Sequence, residues 1–290
     1  MKKILLTVVL GATLHAVQAQ DDSTAETVST AKSYGRVSIS YLTNSVYNGR
    51  KDSLNTPYIT PTIGYYAKSG FFADGSLSYL ARSGSDGIDL ATVEVGYDFS
   101  IKDFDGEIMG SRFFYNSNST NTKSEINSSL AASAGYDFGF VHPGLQGSLN
   151  FGTSTDYAVS FSLDHAFYAA ADRLVITPSL LFNASTQNYY GSYYNNRIYA
   201  KQRRKLYYDI SADVSDASRF KLLDYEFSIP VDYTVKKFTV SFIPFFAIPV
   251  NPAVVTVNIK PSSTAATITR TNTEKTSNTF FASFGLSYKF

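Results

Sequence analysis

Carboxylates recur at alternate positions of extended segments along this chain, and that spacing is where its chemistry begins. Asp74, Glu94, Asp98, Glu107, Asp137, Asp164, Asp209, Asp213, Asp224, Glu226 and Asp232 are assigned to the face opposite the bulky apolar side chains. Bases on that face are few, with Arg36, Arg82 and Lys289 the candidates. If the face encloses water, its acids attract cations and repel anions, because a low-dielectric wall focuses their field. A second reading stands beside this one. The carboxylates bond neighbouring Tyr, Ser and backbone groups, or sit in wide, screened water where they select little.

Acid–base catalysis finds less to work with. His15 lies in the first twenty residues, leaving His142 and His165. His142 reads as part of a short turn over 140–144, and His165 as an outward ring beside Phe167, an amphipathic group at an interface. There is no Cys, no metal-type His spacing, no nucleophile elbow, no P-loop and no dinucleotide glycine pattern. A hydrolase built on a Ser–His or Asp–His pair is therefore the weakest reading, and no cofactor is expected. The formal net charge of +1, with 17% charged residues, excludes a nucleic-acid binder by charge and a disordered acidic chain.

One segment departs from the alternation. Residues 186–204 carry Tyr189, Tyr190, Tyr193 and Tyr194, with Arg197, Arg203 and Arg204 toward the following strand. Aromatic and Arg side chains are common binding anchors, but the reading favoured for so long a loop is that it folds over the mouth of whatever the strands enclose.

The elements that position these groups are strands. Tyr157, Val159, Phe161, Leu163, His165 and Phe167 alternate with Ala158, Ser160, Ser162, Asp164 and Ala166, and similar contrasts recur over 206–214 and 224–233. A soluble sandwich also alternates, but its polar face is usually rich in long charged residues. Here that face is Ser, Thr, Gly, Asn and Asp, and the strands run to about ten residues, enough to cross a bilayer tilted. Candidate strands are 36–43, 57–67, 71–81, 88–99, 104–115, 125–138, 145–152, 156–168, 173–184, 205–215, 223–234, 237–249, 253–259 and 278–290. The expected fold is all-β, a single antiparallel up-and-down barrel over 36–290 with fourteen strands favoured and twelve or sixteen open. Short links are expected at 68–70, 101–103, 140–144, 169–172, 216–222 and 251–252. Long ones are expected at 44–56, 116–124, 186–204 and 260–276, with shorter links on that same side at 83–87, 153–155 and 235–236.

Before the strands, Lys2 and Lys3 precede an apolar run from Ile4 to Leu14 and a small-residue exit at Val17 and Ala19. That order reads as a secretory signal over 1–19, too short in its apolar part to span a bilayer. Residues 20–35, with Asp21, Asp22 and Glu26, read as a tail or short plug.

With its leader, its alternation over 36–290 and a last strand presenting Phe280, Phe284, Tyr288 and Phe290 on one face, the chain resembles Gram-negative outer-membrane β-barrel, porin-like proteins as a class. The resemblance implies an outer-membrane location with both termini periplasmic, and contact with membrane lipid and lipopolysaccharide. It also implies that the terminal aromatics are read by the barrel-assembly machinery. Passive diffusion of small solutes, cation- or neutral-preferring, is the expected activity. A non-transporting barrel that docks envelope or surface partners is the alternative. Fold-level likeness leaves the solute and the oligomeric state open.

Overall fold

The computed structural model describes residues 32–51, 55–82, 87–199, 208–261 and 266–290. The expected leader and most of the 20–35 segment, like Arg203 and Arg204, lie outside them.

Each wall strand pairs antiparallel with the next wall strand in sequence from Tyr34–Leu42 onward, and Thr279–Lys289 closes the sheet by pairing with both Phe238–Pro249 and Tyr34–Leu42. Among the described residues the result is a closed barrel of twelve strands, with a three-stranded sheet and a two-stranded hairpin outside its wall. Closure leaves the wall no unpaired edge. Three wall strands are interrupted: 155–169 at His165 and Ala166, 174–185 at Thr177 and Pro178, and 221–235 at Ile229 and Pro230. Proline has no N–H for the ladder, so pairing continues around it through Thr177 N–H to Pro230 O (2.9 Å) and His165 N–H to Pro178 O (3.3 Å).

The count of fourteen is corrected at 205–215 and 253–259. Tyr208–Val214, Val254–Pro261 and Ile268–Thr273 form a separate three-stranded sheet inside two long connections of the barrel. Alternation reports that a strand has two unlike faces, whether the apolar one meets lipid or protein. Here Ile210, Ala212, Val255 and Val257 meet protein. Both strands leave the wall together, so the parity stays even.

Their removal also moves three links. Residues 216–222 and 251–252 belong to the long-loop end, and the tight turn at Lys236 (φ 55°) lies at the short-turn end, beside both described termini. The turn end is thus closed by links around 68–70, 102–103, 137–141, 170–173 and 236–237, and the loop end by the remaining links, all of them longer except the short one at 152–154.

Alternation sorts the side chains of the wall. Val37, Ile39, Ile63, Phe71, Val93, Ile108, Leu145, Tyr157, Phe242 and Phe284 are exposed on the outer surface, while Ser38, Thr62, Ser76, Thr92, Ser111, Ser160 and Ser283 line the inside. This is the inverse of a soluble barrel, whose apolar side chains turn inward.

Candidate functional site

The lumen is the candidate site, and its chemistry is set by which strand positions face inward. Asp74 and Glu94 sit directly opposite each other on adjacent strands, as do Asp98 and Glu107. Tyr66 donates its hydroxyl to Asp74 (2.8 Å), Ser111 to Glu94 (2.8 Å) and Ser241 to Asp232 (2.5 Å). Asp224 and Glu226 add two more carboxyl groups on the inner face of one strand, opposite Asn183 and Leu181. Arg36 and Lys289 face one another where the first and last strands meet at the turn end. There Arg36 lies 4.4 Å over the Tyr66 ring and Lys289 lies 4.1 Å over Tyr34.

Not every assigned acid lies on the lumen wall. Asp209 and Asp213 are exposed on the separate sheet, because 208–214 never joins the barrel. Asp137 is exposed in a turn, where its carboxylate accepts from Gly139 N–H (2.7 Å). Arg82 lies beyond the end of Phe71–Leu80, at the loop end.

His142 is the largest correction. It opens the strand His142–Phe151 as a buried inward side chain, with Nε2 at 2.9 Å from Asp105 and Nδ1 at 3.3 Å from Asp164. Asp164 is its cross-strand partner, but Asp105 is two strands away in the other direction. Gly135 on the intervening strand makes the reach possible, since a Cβ there would overlap His142 Nε2. Sequence periodicity saw a turn because Pro143 and Gly144 follow the histidine. His165 faces outward with its ring 4.6 Å from Phe167, edge to face.

At the loop end, four connections pack over the lumen with a core of their own. Tyr47, Ile126, Tyr189, Tyr190, Tyr193, Ile210, Ala253 and Val255 form it. Asn188–Tyr193 is a six-residue helix, too short to hold itself. Asp156 on the barrel wall anchors it, accepting from Asn188 N–H (2.7 Å), Tyr189 N–H (2.8 Å) and Thr186 Oγ1 (2.7 Å). The tyrosines of 186–199 therefore face the cap interior: Tyr189, Tyr190 and Tyr193 are buried and Tyr194 is packed against them. Burial raises the Tyr47 and Tyr189 phenols well above their ordinary range. Arg197 ties this segment to the connection 116–127, through Glu125 (2.6 Å) and the carbonyls of Asn116, Ser117 and Ser124.

Lys123 reaches inward from the same connection. Its ammonium lies 5.0 Å from the Tyr47 ring, and burial lowers its pKa to about 8 although Glu94 pulls the other way. Sequence reading missed Tyr47, Arg50, Lys123, Glu125, Asp156 and Glu274, all of which come together only when connections distant in the chain fold onto one another.

Among the described residues no group of His, Cys, Asp and Glu is arranged to hold a metal ion, and no helix is long and apolar enough to cross a membrane. Phe280, Phe284, Tyr288 and Phe290 lie on the outer surface of the last strand or just beyond it, and the Phe290 ring covers Gly35 on the first strand.

No family model and no curated protein matches the chain. Among solved structures it is similar to the KdgM porin, at 11% identity and a TM-score of 0.46, covering 88% of this chain and 99% of that one. It is likewise similar to the NanC porin, at 9% identity and a TM-score of 0.47, covering 88% and 100%. At these scores the likeness adds nothing to the strand pairing, which by itself makes the chain a closed antiparallel β-barrel with a polar, acid-lined interior.

Proposed function

We propose that the chain is an outer-membrane channel for passive diffusion of small solutes, preferring cations and neutral molecules, with both termini in the periplasm. The outer surface supports the location, since a belt of exposed Ile, Val, Leu and Phe suits lipid and is costly in water. The observation that carries the selectivity is the opposition of like charges inside the lumen, Asp74 to Glu94 and Asp98 to Glu107. They give the lumen an acidic lining that favours a passing cation, with Lys123 near Glu94 and Arg36 beside Tyr66 as basic groups among them. His142 supports a channel over an enzyme: both ring nitrogens already face carboxylates, leaving none to activate a nucleophile.

Swelling of liposomes that carry the purified protein tests this reading. Cationic and neutral amino acids are expected to enter faster than anionic ones of similar size, and faster entry of the anions overturns the preference. The packed cap favours a second reading, a non-transporting barrel that docks envelope or surface partners. Co-purification of a stoichiometric partner with a non-conducting barrel would establish it.

A further inference from the structure

The hairpin Val46–Tyr47 and Arg50–Lys51 leaves the first barrel strand and folds inward rather than out. Its tip is Asn48-Gly49, both at positive φ (50° and 70°), the arrangement of a tight two-residue turn. The tip reaches wall strands three and four places round the barrel: Asn48 Nδ2 donates to Ser185 Oγ at 3.1 Å. Gly49 packs so closely that a Cβ would lie 2.8 Å from Asp224 Cβ and 2.9 Å from Pro249 Cβ. The tip is therefore seated against wall strands two to four places round from the strand it leaves.

Arg50 fastens it there. Only 2% exposed, its guanidinium donates from Nε to Glu274 (2.8 Å), from Nη1 to Asn48 O (3.2 Å) and from Nη2 to Asn251 O (3.3 Å). With the Gln187 amide turned so that its oxygen faces the arginine, both terminal nitrogens donate to it as well (3.0 and 2.9 Å). All five N–H groups are then used, on three connections at once. Glu274 in turn accepts from Tyr190 (2.6 Å), which ties the short helix to the same point. Lysine offers three donors without the planar fork and cannot reproduce this set.

We propose that the hairpin is a strap across the lumen mouth and that Arg50 is its latch, so the structure is the closed state of a gated barrel. Gating of conductance rests on the channel reading given above; movement of the strap does not. The test therefore reads both. Ser185 is buried beneath the strap, and the chain has no native cysteine, so Ser185→Cys gives a single chemical reporter. In the Arg50→Ala background its rate of modification by a membrane-impermeant maleimide is expected to rise by about a hundredfold, the scale on which stranding one partner of a buried ion pair releases local structure. Arg50→Lys is expected to release it too, and so is Gly49→Val, which leaves the arginine in place.

In planar bilayers, Arg50→Ala and Gly49→Val are expected to raise the open fraction. Joining Asn48→Cys to Ser185→Cys with a short bis-methanethiosulfonate, which forms a disulfide with each thiol, is expected to abolish opening until a reductant cleaves those disulfides. Faster modification without any conductance keeps the strap and overturns the channel reading. Unchanged modification in both released variants, or full conductance with the cross-link in place, overturns the strap.

Discussion

Replacing Asp156 by Ala isolates the cap from the barrel. This carboxylate, 2% exposed, accepts three hydrogen bonds from the segment 186–189, two of them from the first free N–H groups of the helix Asn188–Tyr193. Hydrogen bonds to a charged group contribute about 1.5–3 kcal/mol each, and they do not add fully. The loss is therefore roughly 3–5 kcal/mol, confined to the cap because the strand Thr155–Asp164 keeps its backbone ladder. A six-residue helix has no reserve against such a loss. Hydrogen exchange followed by mass spectrometry reads it directly. Peptides covering 186–199 are expected to lose protection by about two to four orders of magnitude, while barrel-strand peptides stay unchanged. Asp156→Asn keeps one acceptor oxygen but turns an amide donor toward a donor, and is expected to fall between. Equal protection of 186–199 in Asp156→Ala and the parent would refute the reasoning, and so would loss spread evenly over the barrel.

Other perturbations probe separate parts of the account. Lys123, buried with its pKa lowered to about 8, holds fewer protons in the folded cap than unfolded between that value and its ordinary 10.5. Cap stability should therefore rise with pH across that window, by up to about 3 kcal/mol, and the penalty is fully present below pH 8. Lys123→Met should remove the dependence in hydrogen exchange at matched intrinsic rates. A pH profile that survives the substitution assigns it elsewhere. Gly135→Val should force His142 off Asp105 and lower barrel stability by roughly 2–4 kcal/mol in denaturant titrations, and no shift in midpoint would show that the reach across the strand is dispensable. Phe290→Ala and Gly35→Leu should both slow insertion of the barrel, the second by displacing the ring that covers Gly35; normal yield of the heat-modifiable form from either would count against that contact.

Most of the wall was legible in the sequence because one face of each strand meets lipid and the other meets water. That contrast alone placed Asp74, Glu94, Asp98, Glu107 and Lys289 on the inside. The same signal misled at 205–215 and 253–259, where Ile210 and Val255 are as apolar as any outward residue but pack in the cap core. Length told against only one of them: 253–259 spans seven residues, short of a tilted crossing of about nine to eleven, whereas 205–215 is long enough, and only the pairing of Tyr208–Val214 with Val254–Pro261 takes it off the wall. His142 was hidden because Pro143 and Gly144 read as a turn, whereas both are ordinary members of a strand whose neighbour, Gly135, leaves room for the imidazole. Arg50, Glu274 and Asp156 gave no local signal. Each is a charged residue whose partners stand far off in the chain, and only folding of the connections brings them into contact.

The central claim is that the acid-lined lumen conducts and favours cations. The reversal potential of the reconstituted protein across a potassium chloride gradient tests it most directly. The account predicts a potential of the sign set by potassium permeation, which shrinks when Asp74→Asn and Glu94→Gln are combined. A potential of the chloride sign, or one unmoved by that double substitution, would contradict it.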